Sequence, residues 1–360
     1  MDGIYKKRNS ILLKILKQKN LDAILFFSKE NIRYLCGFTG SSGVLLCRPH
    51  SRIFFTDSRY IEQAENEVIG AKVRPANLGT FEVYNYLDAN GIRNVGIESA
   101  GLTYQEFLIL KKMLRRAKIK PLFDELQELR AVKAPQELKS IKNAVRIAES
   151  ALREVMKLIK TGITESEIAI ELEHCMKLNG SDELPFNVIV LSGKNTSLPH
   201  GRPGKRRLKK GDLILIDFGA RSGGYCSDET VTFVFGGVNR EQSMVYNAVN
   251  DARKYAIESI REGVKASEID SVARGYLDKK GLAKYFGHGL GHGVGLAIHE
   301  SPRLSNNSKT VLKSGMVLTV EPGVYIPGWG GVRLEDMVEV NEKGAKILTG
   351  VSKELRIIKG

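Results

Sequence analysis

The 360-residue sequence holds a single tryptophan, four cysteines and no apolar run approaching the length of about eighteen residues that a membrane span needs. Cys36, Cys47, Cys175 and Cys226 lie far apart, with no Cys-x-x-Cys pair. That excludes a disulfide framework or a zinc knuckle and points to reduced thiols in a cytoplasm. His-Glu-x-x-His, the helical zinc pattern, is absent as well. The opening "MDGIYKKRNSILLKILKQKN" carries lysines inside its apolar stretch, so it reads as an amphipathic helix rather than a signal peptide. These absences together describe a cytoplasmic protein with no membrane partner.

Acidic residues are in deficit: 41 Asp and Glu stand against 55 Lys and Arg, a net charge of +14. Such an excess raises the question of a nucleic-acid partner. The densest basic run, "GKRRLKKGD" at 204–212, has no interleaved aromatics and runs straight into an apolar strand, which marks a solvated turn. The remaining excess is spread along segments read as helices, such as "LKKMLRRAKIK". Nucleic-acid binding, or a peptide-binding role without catalysis, ranks last among the readings.

Positive patterning gives an α/β chain of two domains, 1–125 and 126–360. In the first, "LDAILFF", "GVLLCRP" and "RIFFTD" read as strands and "YIEQAENEV" and "YQEFLILKKMLRRA" as helices. Pro135 suits the start of a long helix in which Ile141, Val145, Ala148, Leu152, Val155 and Ile159 form one apolar stripe. "KTGITESEIAIELEHCMKLNG" at 160–180 matches "REGVKASEIDSVARGYLDKKG" at 261–281 in phase, which predicts two halves, each running from a glycine turn into a capped helix.

Each half also carries a strand pair with two carboxylates. If Ser222-Gly223 is the two-residue loop of "LILIDFGARSGGYCSDETVTFVFG", Asp217 faces Asp228. Pairing about Gly328 in "MVLTVEPGVYIPGWGGVRLEDMVEV" sets Glu321 opposite Glu335. Facing carboxylates repel and suit strands poorly, so a purely structural hairpin is not expected to hold them. Four that converge cannot all stay ionised unless cations cancel them, which is the case for a two-metal site. "GHGLGHGVGLAIHE" at 287–300 offers three histidines among five glycines, one of which would complete an oxygen-rich ligand set. One imidazole among four carboxylates favours Mn(II), Co(II) or Fe(II), with Zn(II) as an alternative.

"IDFGA…GGYCSDET", "GHGLGHGVGLAIHE", "LTVEPGVYIP" and "GVRLEDMV" resemble the pita-bread metallopeptidase family, family M24, which includes methionine aminopeptidase, Xaa-Pro aminopeptidase and Xaa-Pro dipeptidase. "ENIRYLCGFTGSSG" and "FFTDSRYIEQA" look like the amino-terminal creatinase-like domain of the Xaa-Pro branch. The resemblance implies a pseudo-twofold catalytic domain and two divalent metals, Mn(II) foremost. It assigns the metals to Asp217, Asp228, His292, Glu321 and Glu335. It implies Glu321 as proton acceptor, His200 and His299 as catalytic and substrate-lining residues, and a proline-containing peptide as substrate. A homodimer is common in that branch. Phe186 and Tyr325 are expected as apolar walls of the substrate site. Arg303 resembles an arginine that holds a substrate carboxylate in some prolidases, and Arg333 is expected to orient Glu335. Val231 departs from an arginine frequent in the family. The activity expected is that of an Xaa-Pro aminopeptidase, with an Xaa-Pro dipeptidase as the alternative.

Overall fold

The three apolar segments expected as strands near the amino terminus become β1 (Ala23–Phe26), β2 (Val44–Cys47) and β3 (Arg52–Thr56). They join β4 (Lys72–Pro75), β5 (Asn94–Glu98) and β6 (Lys118–Leu122) in a six-stranded sheet of order β4-β3-β2-β1-β5-β6. The computed structural model describes residues 2–77 and 82–359, and this first unit runs Met1–Arg130. Two expectations change here. The helix at 104 stops at Met113, and the "KIK" read as helical belongs to β6, an edge strand whose Pro121 lacks a ladder donor and is tolerated only at an edge. The division falls after Arg130 rather than residue 125, because Leu126 and Leu129 are buried and the Arg130 guanidinium bonds Asn31 within the same unit.

The second unit, Ala131–Gly360, is built twice over. Its first half sets the helices Pro135–Val155 and Glu165–Leu178 on a sheet of order β19-β11-β8-β7, formed by β7 (Ile189–Ser192), β8 (Leu213–Phe218), β11 (Glu229–Phe235) and the carboxyl-terminal β19 (Ile357–Ile358). Between β8 and β11, β9 (Arg221–Ser222) and β10 (Tyr225–Cys226) form the tip of the hairpin. The second half sets the helices Arg240–Ser259 and Ala266–Lys279 on a sheet of order β13-β12-β14-β17-β18. These strands are β12 (Gly291–Gly293), β13 (Glu300–Leu304), β14 (Val317–Val320), β17 (Asp336–Asn341) and β18 (Gly344–Ile347). A separate hairpin, β15 (Gly323–Ile326) with β16 (Gly330–Arg333), continues from β14 and β17.

Each half has its own core. Ile147, Leu152, Leu172, Ile216, Phe218 and Val231 pack in one; Val249, Ile269, Leu277, Leu318 and Val338 pack in the other. Val231 therefore fills core volume where a charged side chain would lose its hydration. Pro135 opens its helix as expected, but the helix ends at Val155, so Ile159 joins the buried apolar stripe from the turn beyond it, each large side chain contributing roughly 1.5–3 kcal/mol. The repeat is visible in the backbone. Gly162 N donates to Leu208 O at 3.0 Å, and Gly263 N donates to Leu312 O at 2.9 Å. Only the first copy is capped by a side chain: Thr164 accepts from Glu167 N, whereas Lys265 has no acceptor to offer there.

Candidate metal centre

The second hairpin has the register expected of it. Gly323 pairs with Arg333 and Val320 with Asp336, so the break between the two strand pairs holds Glu321 and Glu335 opposite each other. The first hairpin does not. Its tip is Gly223-Gly224, both at positive φ, and Tyr225 pairs with Ser222. Asp217 consequently faces Thr230, and Asp228 sits diagonally, two residues away on the same face. A shift of two preserves the alternation of side chains, so both aspartates still line the same cavity. A shift of one would have separated them.

That cavity, of about 600 Å³, is lined by Asp217, Asp228, His292, Glu321 and Glu335 together. Asp228, His292 and Glu335 each offer a ligand atom within 4.8 Å of the others. His292 Nε2 lies 3.5 Å from Asp228 Oδ2 and 3.4 Å from Glu321 Oε1. The two halves are tied at this point by Thr230: its carbonyl accepts from Glu335 N at 3.0 Å, and its hydroxyl donates to Glu335 Oε2 at 2.7 Å. Thr230 was not singled out in the sequence. The signal for it is the strand period, which puts residue 230 on the face of Asp228.

Burial dominates the electrostatics. Burial first, and then the Glu335, Asp217 and Glu321 carboxylates, hold the Asp228 carboxyl well above its usual range. Glu335 is raised in the same way, by burial and by Glu321 and Asp217. Burial pushes Glu321 up to about 8 against the opposing pull of Arg333. Burial, with His299 nearby, lowers His292 to about 4, leaving its imidazole neutral and able to ligate at ordinary pH. Asp217 Oδ1 and Glu335 Oε1 are buried with no hydrogen-bond partner among the described residues. Four carboxylates, two with such orphaned oxygens and one of them bonded by the Arg333 guanidinium, are a fit donor set for hard or borderline divalent cations.

Among the described residues Arg333 reaches Glu335 only through the Thr230 hydroxyl, not directly as expected. Its Nη2 donates to Asp217 Oδ2 at 2.6 Å, and its Nε donates to Thr230 Oγ1 at 3.1 Å. Its Nη1 donates to the Tyr325 hydroxyl at 2.9 Å. Tyr325 is therefore a buried brace behind the cavity rather than one of its walls. The Tyr325 hydroxyl meets His288 Nε2 at 3.0 Å, and His288 Nδ1 meets Gly289 O at 2.8 Å. Since a carbonyl only accepts, Nδ1 carries the proton and Nε2 accepts from the tyrosine. His288 lines the cavity but has both ring nitrogens occupied by protein, so it offers a ligand only its ring face and edge.

Phe186, His200, His299 and Arg303 all line the cavity. The His299 and His292 rings meet edge to face at 4.3 Å. Beside His299, the buried Glu300 carboxylate accepts from Lys133 Nζ at 2.7 Å, which fixes the chain where it leaves the glycine-rich stretch. Arg303 pairs with His292 across β12 and β13, so the two side chains share a face.

The glycines of that stretch serve close backbone approach. A Cβ at Gly291 would overlap the Thr319 carbonyl of β14, and one at Gly293 the Ser301 carbonyl of β13. Gly291→Ala is expected to cost on the order of 1–3 kcal/mol in urea unfolding, the usual range for overpacking. Because β12 carries His292, metal affinity should fall with it. An unchanged unfolding midpoint would show that β12 and β14 can part freely.

Comparison with known proteins follows the division of the chain. The model of metallopeptidase family M24 matches residues 139–342, and that of the creatinase/prolidase N-terminal domain matches residues 8–132. A protein of Pyrococcus horikoshii named Xaa-Pro dipeptidase is 36% identical, over 99% of this chain and 100% of its own. Among solved structures, an Xaa-Pro dipeptidase from Bacillus anthracis superposes with a TM-score of 0.94 at 37% identity, covering 98% of this chain and 99% of that one. An X-Pro aminopeptidase from Thermotoga maritima gives 0.87 at 34% identity, over 96% and 100%. Among the described residues no helix is long and apolar enough to cross a membrane.

Proposed function

Since the chain belongs to metallopeptidase family M24, we propose that it is a two-metal hydrolase of Xaa-Pro bonds, and a dipeptidase in preference to the aminopeptidase that the sequence alone favoured. One observation carries the preference. Arg303 lines the cavity on the same face as His292, and among the described residues its guanidinium has no hydrogen-bond or ion-pair partner. An uncommitted cation beside the reacting centre suits the carboxylate that ends a dipeptide. The relatives named Xaa-Pro dipeptidase support the same reading. The Thermotoga relative and the exposure of Arg303 favour the aminopeptidase as a second reading.

Asp217, Asp228, His292, Glu321 and Glu335 would hold the metals, proposed as Mn(II) because one imidazole stands among four carboxylates. Bound there, two divalent cations acidify water to near neutrality and polarise the scissile carbonyl. The remaining work falls to this chain's own side chains. Glu321 takes a proton at its carboxylate from the attacking water as the water oxygen bonds the carbonyl carbon, and delivers it to the proline nitrogen as the C–N bond breaks. That nitrogen belongs to a tertiary amide with no N–H of its own, so the proton has to be supplied. His200 and His299 bind the carbonyl oxygen as charge develops on it. Phe186 and Ile298 supply apolar surface for the ring, and the Arg303 guanidinium binds the proline carboxylate.

Hydrolysis of Ala-Pro and Ala-Pro-Ala, measured side by side with Mn(II), tests this. The dipeptide alone should be cleaved. Arg303→Ala is expected to lower kcat/KM on the dipeptide by about 10- to 100-fold through KM, the loss typical of one charge-assisted hydrogen bond. Cleavage of the tripeptide, unchanged in Arg303→Ala, would establish the aminopeptidase instead.

A further inference from the structure

A buried charge cluster lies behind the cavity, formed by residues that the proposed chemistry does not use. Glu229, the first residue of β11, follows Asp228; Asp336, the first residue of β17, follows Glu335. Neighbours on a strand face opposite ways, so each of these carboxylates points away from the cavity beside a carboxylate that points into it. A single ammonium joins them. Lys353 Nζ lies 2.5 Å from Glu229 Oε1 and 3.2 Å from Asp336 Oδ1, and its third donor reaches Val351 O at 3.0 Å. The side chains of Lys353, Glu229 and Asp336 are only 2–3% exposed. Asp336 is also held by the Arg253 guanidinium and by Thr349 Oγ1 at 2.6 Å, so two cations balance two anions.

The segment that carries Lys353 gives the arrangement its leverage. It leaves β18 at the edge of the second sheet and ends as β19, which pairs in parallel with β11 of the first, Val234 with Ile357 and Phe235 with Ile358. The Tyr246 hydroxyl donates to Lys353 O at 3.1 Å and holds the lysine's own backbone. The carboxyl-terminal segment thus crosses from one half to the other and inserts its lysine where the two halves meet.

We infer that Lys353 is a positioning residue for the metal centre: its ammonium sets the spacing of Asp228 and Glu335, one from each half, by bridging the carboxylates that follow them. Thr230 ties the same two strands on the cavity side, and Lys353 ties them from behind. The inference rests on the two-metal reading above. Outer partners of this kind commonly tune metal affinity although they touch no metal.

The test is Mn(II) titration of the full-length, chelator-stripped protein by calorimetry, with melting curves recorded with and without metal. Lys353→Met alone strands the buried Glu229 carboxylate and leaves Asp336 to Arg253, and is expected to unfold readily. The double variant Glu229→Gln/Lys353→Met removes one charge of each sign and keeps the cluster balanced. It should fold, bind Mn(II) about 10- to 100-fold more weakly than wild type and gain less melting temperature on loading. Lys353→Arg should recover part of the affinity. A folded double variant with wild-type affinity, its melting point lowered equally with and without metal, overturns the inference and leaves the two-metal reading standing. Failure of the double variant and Lys353→Arg to fold assigns Lys353 to stability alone and overturns it as well. Wild-type protein that binds no divalent metal overturns the reading beneath it.

Discussion

Glu321→Gln is expected to lower kcat on Ala-Pro by about 10³-fold, within the range that removal of a positioned acid–base group usually gives. The substitution keeps the side chain's length and an oxygen that can face a metal, but the amide cannot take up a proton. In the metal-free protein burial already raises the Glu321 carboxyl to about 8, so this is a site where proton occupancy is easily changed near neutral pH. Thr319 Oγ1 donates to Glu321 Oε1 at 3.3 Å, and the glutamine oxygen can keep that bond. Single-turnover rates should be read beside the metal content of the same sample. A variant that holds its metal and loses its rate assigns the proton transfer to Glu321. One that keeps its rate within tenfold of wild type removes Glu321 from that role. Loss of both metal and rate would make it a ligand first.

Stripping the metals should leave a protein whose stability falls as pH rises from about 6.5 to about 8. Glu321 stands at about 8 in the fold against 4.5 as a free side chain, and Asp228, Glu335 and Glu229 are raised too. Across that window the folded carboxyls bind protons that the unfolded chain has already released, so the slope of unfolding free energy with pH is negative. His288 and His292, lowered to about 4 from 6.5, act in the opposite sense, but only below about pH 6.5 where the unfolded chain takes up their protons. The expected loss is on the order of 3 kcal/mol over the window, as several partly shared protons are given up. Urea titrations at pH 6.5 and pH 8, in chelator and in Mn(II), measure it. Added metal should remove most of the slope and release protons as it binds, which calorimetry in buffers of different ionisation enthalpy detects. Asp228→Asn should reverse the pattern, more stable without metal at pH 8 and unresponsive to metal. A metal-free protein equally stable at both pH values would mean that the buried carboxylates do not repel as their placement implies.

What could be read before folding followed from local rules. The apolar stripe after Pro135 and the matched helix starts at 160 and 261 each rest on local pattern; the structure keeps the repeat, and buries the stripe although its helix stops before Ile159. The pairing of Glu321 with Glu335 was legible because one turn about Gly328 sets the register for the whole strand pair. The first hairpin carried two adjacent glycines after a serine, and either of two loops fitted it. The structure uses Gly223-Gly224, and Asp217 faces Thr230. Even so the cavity kept both aspartates, since an even shift leaves every side chain on its face.

Side-chain partners were beyond reach for a different reason. Arg333 bonds Asp217, 116 residues before it, and not Glu335, two residues after it; nothing in a strand's alternation distinguishes the two. Tyr325 looked apolar until Arg333 and His288 were found to claim its hydroxyl. Lys353 lies in an unremarked stretch, "VSKELRIIKG", and is drawn into the interior only because that segment crosses to β11. Which side chains have the chemistry of metal ligands, and which strands carry them, could be read locally, because ligand type and strand period are local properties. How those side chains are braced and spaced came only with folding, because the braces are tertiary partners, several from the other half of the domain, and packing rather than a local pattern selects them.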